Sequence, residues 1–317
     1  MEKYLELLLL KELKGFGPVK INTEYLPNLR NINGINELCD LVCSYEKKVS
    51  RTDIDEALKS AELTYNSVCS DNSIQVITAL DDNYPSGLLS LKTKKPLILY
   101  IRGEASVLEK PGIGVVGTRH PSDRTIKAGP SIVRTIHNIY DCAIVSGLAL
   151  GCDEIAHEAA LDNNMSTIAV MPSGLNVITP SQHKSLADRI LQAGGCLISE
   201  YEPNEQAQKS TFVRRDALIA AMTEGVIVLE CGIKSGTMHT VYEAVCIKRP
   251  VACFYPDGAD SNFAGCRYIL EEKNGHKIVK PSDISQFLSE AFIKKNHIDD
   301  NLEQISLFDI TTATMSN

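Results

Sequence analysis

The stretch Ile113-Gly114-Val115-Val116-Gly117-Thr118-Arg119 decides the fold. It is a short apolar run, rich in β-branched residues, and it ends in a glycine. An amphipathic stretch at 124–139 and a second apolar run at 143–146 follow it. This succession is typical of a parallel sheet with helices packed on it. Gly112 to Gly117 also matches the letters GxGxxG, but the match lies within the strand and not between strand and helix. That context argues against a dinucleotide-binding loop.

The same alternation continues along the chain and predicts a doubly wound α/β domain over 73–294. Its sheet is expected to be mostly parallel and Rossmann-like, with ligands at the carboxyl ends of the strands. Further strands are predicted at 74–79, 97–101, 167–171, 196–199, 226–230 and 251–255, and helices at 153–163, 181–193, 212–222 and 237–247.

The two ends of the chain differ from this domain. Residues 1–72 show helical spacing of leucines and no strand pattern, which predicts a small helical module. Residues 295–317 are polar with one apolar interruption, which predicts a flexible tail.

Composition narrows the class of protein. The 317 residues are 44% hydrophobic and 23% charged, as in ordinary globular proteins. There is no apolar run of about 18 residues, so no membrane span is expected. The ten cysteines form no CxxC pair or zinc spacing, which indicates free thiols in a reducing cytoplasm, with no metal and no cofactor. A net charge of −8 argues against a general polyanion binder but leaves room for a local basic groove.

Three loops that follow predicted strands combine glycines, hydroxyls and cations. They span 117–122, 146–153 and 230–237, and the last two lead into predicted helices. Amides at a helix N-terminus can hold a phosphate, and an arginine can pair with one. Arg214 and Arg215 add two guanidinium groups at another helix start. These features predict a phosphate-rich ligand at one edge of the sheet.

A set of short motifs occurs in order along residues 5–257. The motifs are Asp82-Asn83-Tyr84-Pro85, Lys95-Pro96-Leu97-Ile98-Leu99-Tyr100, Arg102-Gly103, Gly117-Thr118-Arg119-His120-Pro121-Ser122, Ser146-Gly147-Leu148-Ala149 with Gly151, Asp153, Ala156 and His157, Ser199-Glu200-Tyr201, and Ser235-Gly236-Thr237 with Thr240. Taken together, they resemble the DNA-processing protein A (DprA/Smf) family. The Gly15-Phe16-Gly17 turn is similar to that family's SAM-like helical domain.

The resemblance implies a binding protein and not an enzyme. Members of the family bind single-stranded DNA in a basic pocket of the Rossmann-like domain, form homodimers and help to load the RecA recombinase in DNA uptake and recombination. By match, Arg119 would contact phosphate, the 146–147 and 235–236 loops would offer amides, and Lys184 would extend the channel. The predicted DNA- or phosphate-binding residues are Gly117, Thr118, Arg119, Ser146, Gly147, Gly151, Lys184, Arg214, Arg215, Lys234, Ser235, Gly236 and Thr237.

One departure from the family keeps two alternatives open. Where the family usually has Arg-Asn-Arg, this chain has Arg215-Asp216-Ala217, which removes a cation and adds an acid. A carboxylate repels phosphate at short range, so the added acid is expected to weaken the binding of single-stranded DNA. The first alternative is therefore a sensor that binds a small nucleotide, for example in phage defence. The second alternative is a nucleotide phosphoribohydrolase of the LOG type. Thr240 stands where that family has a glutamate, and Glu243 lies nearly one helical turn further on.

The tail contains one further motif. Gln304-Ile305-Ser306-Leu307-Phe308 resembles the peptide with which DNA-handling proteins dock onto the replicative sliding clamp. The resemblance implies that Gln304 fills a polar pocket and that Leu307 and Phe308 anchor in an apolar cleft. The alternative is an amphipathic turn that folds back on the domain.

Overall fold

The structure, a computed structural model, describes residues 3–293. Its centre is one nine-stranded sheet. Six of its strands coincide with apolar runs of the sequence, and all the residues of these six strands are buried. The strands are β1 (Gln75–Thr78), β2 (Ile98–Gly103), β3 (Gly112–Val116), β4 (Ala143–Ser146), β5 (Thr167–Val170), β6 (Cys196–Ser199), β7 (Gly225–Val228), β8 (Val251–Phe254) and β9 (His276–Ile278).

The strand order is β1-β2-β6-β5-β4-β3-β7-β8-β9. All neighbours from β6 to β9 pair in parallel, whereas β1 and β2 form an antiparallel extension at one edge. Strand β3 lies between β4 and β7, so the chain changes its direction of travel across the sheet at this point. The loops after β3 and β7 therefore diverge and leave a crevice at their carboxyl ends.

Helices cover both faces of the sheet. The helices of this part of the chain are α6 (Asp123–Ile139), α7 (Cys152–Asp162), α8 (Lys184–Gln192), α9 (Lys209–Ala221), α10 (Thr237–Cys246), α11 (Ala264–Glu272) and α12 (281–293). α6 packs on α7 and α7 on α8, while α9 packs on α10. Because crossovers between parallel strands are right-handed, α6, α7 and α8 lie on one face and α9 and α10 on the other.

The N-terminal module consists of helices and turns and packs on the sheet on the α8 side. Its apolar side chains share one hydrophobic core with Ile98, Tyr100 and Leu197 of β2 and β6. The hydroxyls of Tyr4 and Tyr100 lie 3.3 Å apart inside this core. The helices are α1 (Tyr4–Glu12), α2 (Pro18–Lys20), α3 (Leu26–Leu29), α4 (Ile35–Tyr45) and α5 (Arg51–Ser70).

The predicted Rossmann-like class and its eight strands are confirmed, with boundaries that move by one or two residues. Two differences concern the helices and the far edge. α9 begins at Lys209, three residues before the predicted start, and strand β9 and the helices α11 and α12 were not predicted. The predicted tail, with Gln304, Leu307 and Phe308, lies outside the described residues. Among the helices of residues 3–293, none is long and apolar enough to cross a membrane.

Candidate nucleic-acid interface

A cleft of about 740 Å³ opens at the carboxyl edge of the sheet, at the crevice between the loops after β3 and β7. The β3–α6 loop, the start of α7, the first turns of α9 and the start of α10 form its walls. Of the predicted set, this cleft brings together Gly117, Thr118, Arg119, Arg215, Ser235, Gly236 and Thr237.

The β3–α6 loop is fixed by Gly117 and by the buried Glu230. A Cβ at Gly117 would lie 2.5 Å from the Cys152 sulfur and 2.8 Å from the Glu230 carbonyl oxygen, so only glycine fits there. The Thr118 amide donates to that same carbonyl at 2.7 Å. The Glu230 carboxylate accepts bonds from the Ser122 amide and hydroxyl at 3.0 and 2.6 Å. The loop that carries Arg119 is therefore held on both sides.

The β4–α7 loop uses its own amides internally. The Gly147 and Ala149 amides both donate to the Asp153 carboxylate at 3.2 Å, and the Ser146 hydroxyl donates to the Val115 carbonyl at 2.7 Å. Gly151 has a φ of +80°, and a Cβ there would lie 2.6 Å from the Thr118 carbonyl oxygen. Ser146, Gly147 and Gly151 thus shape the wall of the cleft, and the Gly147 amide is already paired.

Arg215 stands beneath the cleft as a buried cation. Its guanidinium donates to the Gly147 carbonyl, to the Val170 carbonyl at 3.2 Å and to the Asp216 carboxylate at 3.0 Å. Burial raises the pKa of Asp153 and of Asp216, and the charge of Arg215 acts in the opposite direction on both. Arg215 therefore joins two loops and partly neutralises two carboxylates, because a buried charge needs paired partners.

Arg119 is the exposed cation at the mouth of the cleft. Its guanidinium carbon lies 5.5 Å from the centre of the Phe212 ring, a cation–π distance. Within residues 3–293 no carboxylate forms an ion pair with it. The buried Arg215 guanidinium lies 5.9 Å from the same ring. Lys209, the first residue of α9, is a second exposed cation of the cleft lining.

The start of α10 offers hydroxyls and amides to the cleft. The Ser235 hydroxyl donates to the Thr237 hydroxyl at 3.0 Å and accepts from the Thr237 amide at 3.3 Å. The ten-residue helix directs its N-terminal dipole toward this wall. A negative group in the cleft would be stabilised there.

Six predicted residues are not part of the cleft lining: Ser146, Gly147 and Gly151 of the β4–α7 loop, and three cations. Arg214 donates from Nε and Nη2 to the two carboxylate oxygens of Glu200 at 2.7 and 3.0 Å, and also to the Lys94 carbonyl. Lys184 begins α8, and Lys234 is exposed in the loop before α10. Conversely, the predicted set lacks several lining residues, which are His120, Gln208, Lys209, Phe212, His239 and Thr240.

The cleft has two carboxylates in its lining, Asp153 and Asp216. Both are held by the interactions described above. Thr240 lines the cleft at the position where a LOG-type enzyme requires a glutamate, and Glu243 is not part of the lining. Over the described part of the chain, no cluster of three histidine, cysteine or carboxylate side chains has the arrangement of a metal site.

Comparison with known proteins identifies the family. The family model described as "DNA recombination-mediator protein A" matches residues 75–289. DNA processing protein DprA of Streptococcus pneumoniae is 36% identical over 200 residues, which cover 63% of this chain and 69% of that protein. Against several other curated relatives, named Smf or DprA, the chain spans about half of their length.

Two solved structures are similar over most of their length. The structure of DprA from Streptococcus pneumoniae has a TM-score of 0.75 at 28% identity and covers 89% of this chain and 97% of that one. A structure of DNA processing protein A from Helicobacter pylori, described for its single-stranded DNA binding mode, has a TM-score of 0.62 at 27% identity and covers 70% and 98%. These findings confirm the resemblance seen in the sequence, and the chain belongs to the DNA recombination-mediator protein A family.

Proposed function

We propose that this protein binds single-stranded DNA in the cleft at the carboxyl edge of the sheet. The observation that carries the proposal is Arg119, an exposed cation without an ion-pair partner in residues 3–293, set against the Phe212 ring at the mouth of the cleft. The Helicobacter pylori relative, whose description names single-stranded DNA binding, supports the same ligand.

The chemistry of the cleft suits an unpaired strand. Single-strand binding requires cations along the sugar-phosphate backbone and an aromatic face on which a base can stack. Arg119 and Lys209 supply the cations, and Phe212 supplies the ring. The start of α10, at Ser235, Gly236 and Thr237, supplies amides and a favourable dipole for phosphate.

The remaining predicted residues receive indirect or peripheral roles in this proposal. Ser146, Gly147, Gly151 and Arg215 build the wall and hold its shape, because their polar groups are paired within the protein. Gly117 and Thr118 position Arg119. Lys184, Arg214 and Lys234 lie beyond the lining and would act on DNA only outside the cleft.

The family name suggests what the bound strand is for. We infer that a homodimer of this protein in the cytoplasm delivers single-stranded DNA to a RecA-type recombinase, without a catalytic step of its own. The Gln304, Leu307 and Phe308 motif would add docking onto the sliding clamp. A pull-down of the recombinase and of the clamp, with and without residues 303–317, tests both partners; the truncation should abolish clamp capture alone.

The ligand class is tested by Arg119→Ala and a salt titration of fluorescent oligo-dT binding. Loss of one phosphate contact should weaken binding on the order of tenfold and reduce the salt slope by about 0.7. Arg134→Ala, at an exposed arginine of α6 away from the cleft, is the matched control and should behave as the wild type. Unchanged affinity and slope in Arg119→Ala would refute the site.

A nucleotide sensor is the second candidate, because Asp216 lines the cleft. A mononucleotide presents one phosphate group to Arg119, and Asp216 repels it less than it repels a polyanion. A thermal shift screen separates the two ligands, since a ligand that binds the folded state raises Tm by an amount that grows with its concentration relative to its Kd. A large shift with a mononucleotide and none with oligo-dT would favour the sensor, and release of free base would establish the hydrolase.

A further inference from the structure

Residues 92–95, Lys-Thr-Lys-Lys, concentrate three lysines in a chain whose net charge is −8. Lys92 and Lys94 are exposed, and Lys95 is half-buried. Within the described residues, no carboxylate forms an ion pair with any of the three. The two exposed ammonium groups therefore remain available to an external anion.

The fold brings this lysine segment to the edge of the sheet where the cleft opens. The segment Ser86–Lys94 runs alongside α9 in the opposite direction. At its start, Gly87 lies so close to the Ala221 carbonyl at the end of α9 that a Cβ would not fit. At its end, the Lys94 carbonyl accepts a hydrogen bond from Arg214 in the first half of α9. Since α9 begins at the cleft, the lysines lie on the same side.

The backbone of the lysine segment is held from two directions. Arg214 donates from Nε and Nη2 to both oxygens of Glu200 and to the Lys94 carbonyl, so it positions the segment and its charge is paired with a carboxylate. From the N-terminal module, the Asn22 side-chain amide donates to the Lys95 carbonyl at 3.1 Å. The carbonyls of Lys94 and Lys95 are thus fixed, while the side chains of Lys92 and Lys94 are exposed.

The turn itself does not require a lysine. Lys92 has a φ of +52° and a ψ of −121°, a conformation that favours glycine and strains a residue with a side chain. Glycine would make the same turn without this strain. The side chain of Lys92 is exposed, and its charge supports a role in binding.

The distance from the cleft to the lysine segment is short. Lys209 lines the cleft, and Arg214 follows five residues later, about 8 Å along the axis of α9. Val213, which is 43% exposed and lines the cleft, lies between them and offers an apolar surface to a base. A strand that leaves the cleft past Val213 would reach Lys92 and Lys94 next.

We propose that Lys92 and Lys94 form a second phosphate-contacting stretch, which extends the cleft and holds the same single strand where it leaves past α9. This inference rests on the proposed single-stranded DNA binding and specifies the path of the strand. It implies a binding site longer than the cleft, so that affinity rises with oligonucleotide length until both stretches are filled.

The test measures salt-dependent binding of two oligo-dT lengths, about 6 and about 20 nucleotides, which bracket common single-strand site sizes. The variant is Lys92→Glu with Lys94→Glu. The control is Lys47→Glu with Lys48→Glu, which makes the same charge change at two exposed lysines of the N-terminal module. Arg119→Ala reports on the cleft, and thermal melting verifies that each variant is folded.

We expect the Lys92/Lys94 variant to lose roughly tenfold or more in affinity for the long oligonucleotide and to lower its salt slope by about 1.4, with the short one unchanged. Equal losses of affinity for both lengths, or a loss no larger than in the Lys47/Lys48 control, would contradict the proposed path past Lys92 and Lys94. Neither result would contradict DNA binding in the cleft. If the wild type binds neither oligonucleotide, the proposed function and the path both fall.

Discussion

Asp216 is the side chain at which the cleft departs most from an ideal phosphate site. It lines the cleft and pairs with Arg215 at 3.0 Å, so the protein holds a carboxylate close to the expected phosphate path. Arg215 is itself buried and shared with two carbonyls, and it compensates the acid only in part. The balance between these two side chains sets how strongly a polyanion is held.

Asp216→Asn should therefore bind oligo-dT more tightly than the wild type, by roughly threefold to tenfold at low salt, because it removes a negative charge and keeps a hydrogen-bonding oxygen. Asp188→Asn, at an exposed aspartate of α8, is the matched control. Fluorescence anisotropy at pH 7.5 measures the effect. Equal affinity in Asp216→Asn and wild type would show that Arg215 already neutralises the acid.

The same side chain predicts a pH dependence of binding. Burial raises the pKa of Asp216 above its usual 3.8, so its carboxylate takes up a proton at a higher pH than an exposed aspartate does. Wild-type affinity should therefore rise as pH falls through that raised pKa. His120 and His239 are further side chains of the cleft lining. The Asp216 contribution is thus the difference between the wild-type and Asp216→Asn profiles, and parallel profiles would argue against it.

At the scale of elements, local patterning predicted the strands well and the helix starts less well. Apolar runs such as 143–146 and 196–199 become buried strands at the predicted residues. Strand β9 has only three residues and a single buried one, Ile278, so it carries no pattern to detect. α9 starts at Lys209 because Gln208 and Thr211 cap it, and this pairing is a poor match to the usual capping box. That shift is why Lys209 was missing from the predicted site.

The partners of the charged residues could not be predicted from local sequence. Arg214 and Arg215 are neighbours in α9, yet one pairs with Glu200 outside the cleft and the other lies buried beneath it. The loop motifs located the cleft, but the carboxylate of Asp153 and the carbonyl of Gly147 come from distant positions in the chain. Which cation is free is thus a property of the packed elements.

The close packing of Ser86–Lys94 on α9 gives an element-scale prediction. Gly87→Ala would place a Cβ inside contact distance of the Ala221 carbonyl, and backbone cannot move aside as a flexible side chain can. We expect a loss of about 1–3 kcal/mol in the free energy of unfolding, measured by urea denaturation. Gly232→Ala is the control, because a Cβ there meets nothing within 4 Å. Equal stability of the two variants would contradict this packing.

At the scale of the whole molecule, the helical module and the sheet share one hydrophobic core. Ile98 and Tyr100 of β2 are buried against the same cluster as Leu7, Leu8 and Leu38 of the module. Removing the module would expose this face of the sheet to water, at a cost that scales with the apolar area. The two parts are therefore expected to unfold together, although their sequence patterns differ sharply.

This expectation is tested with tryptophan reporters, since the chain contains no tryptophan. Tyr65→Trp reports on the module and Tyr255→Trp on the sheet, and both positions are half-buried. In each background, Ile98→Ala should lower the free energy of unfolding by about 2–5 kcal/mol and move both reporters' transitions by the same amount, because it opens a cavity at the shared core. A shift confined to the Tyr65→Trp reporter, or two separate transitions in the parent reporters, would mean that the module folds and unfolds on its own.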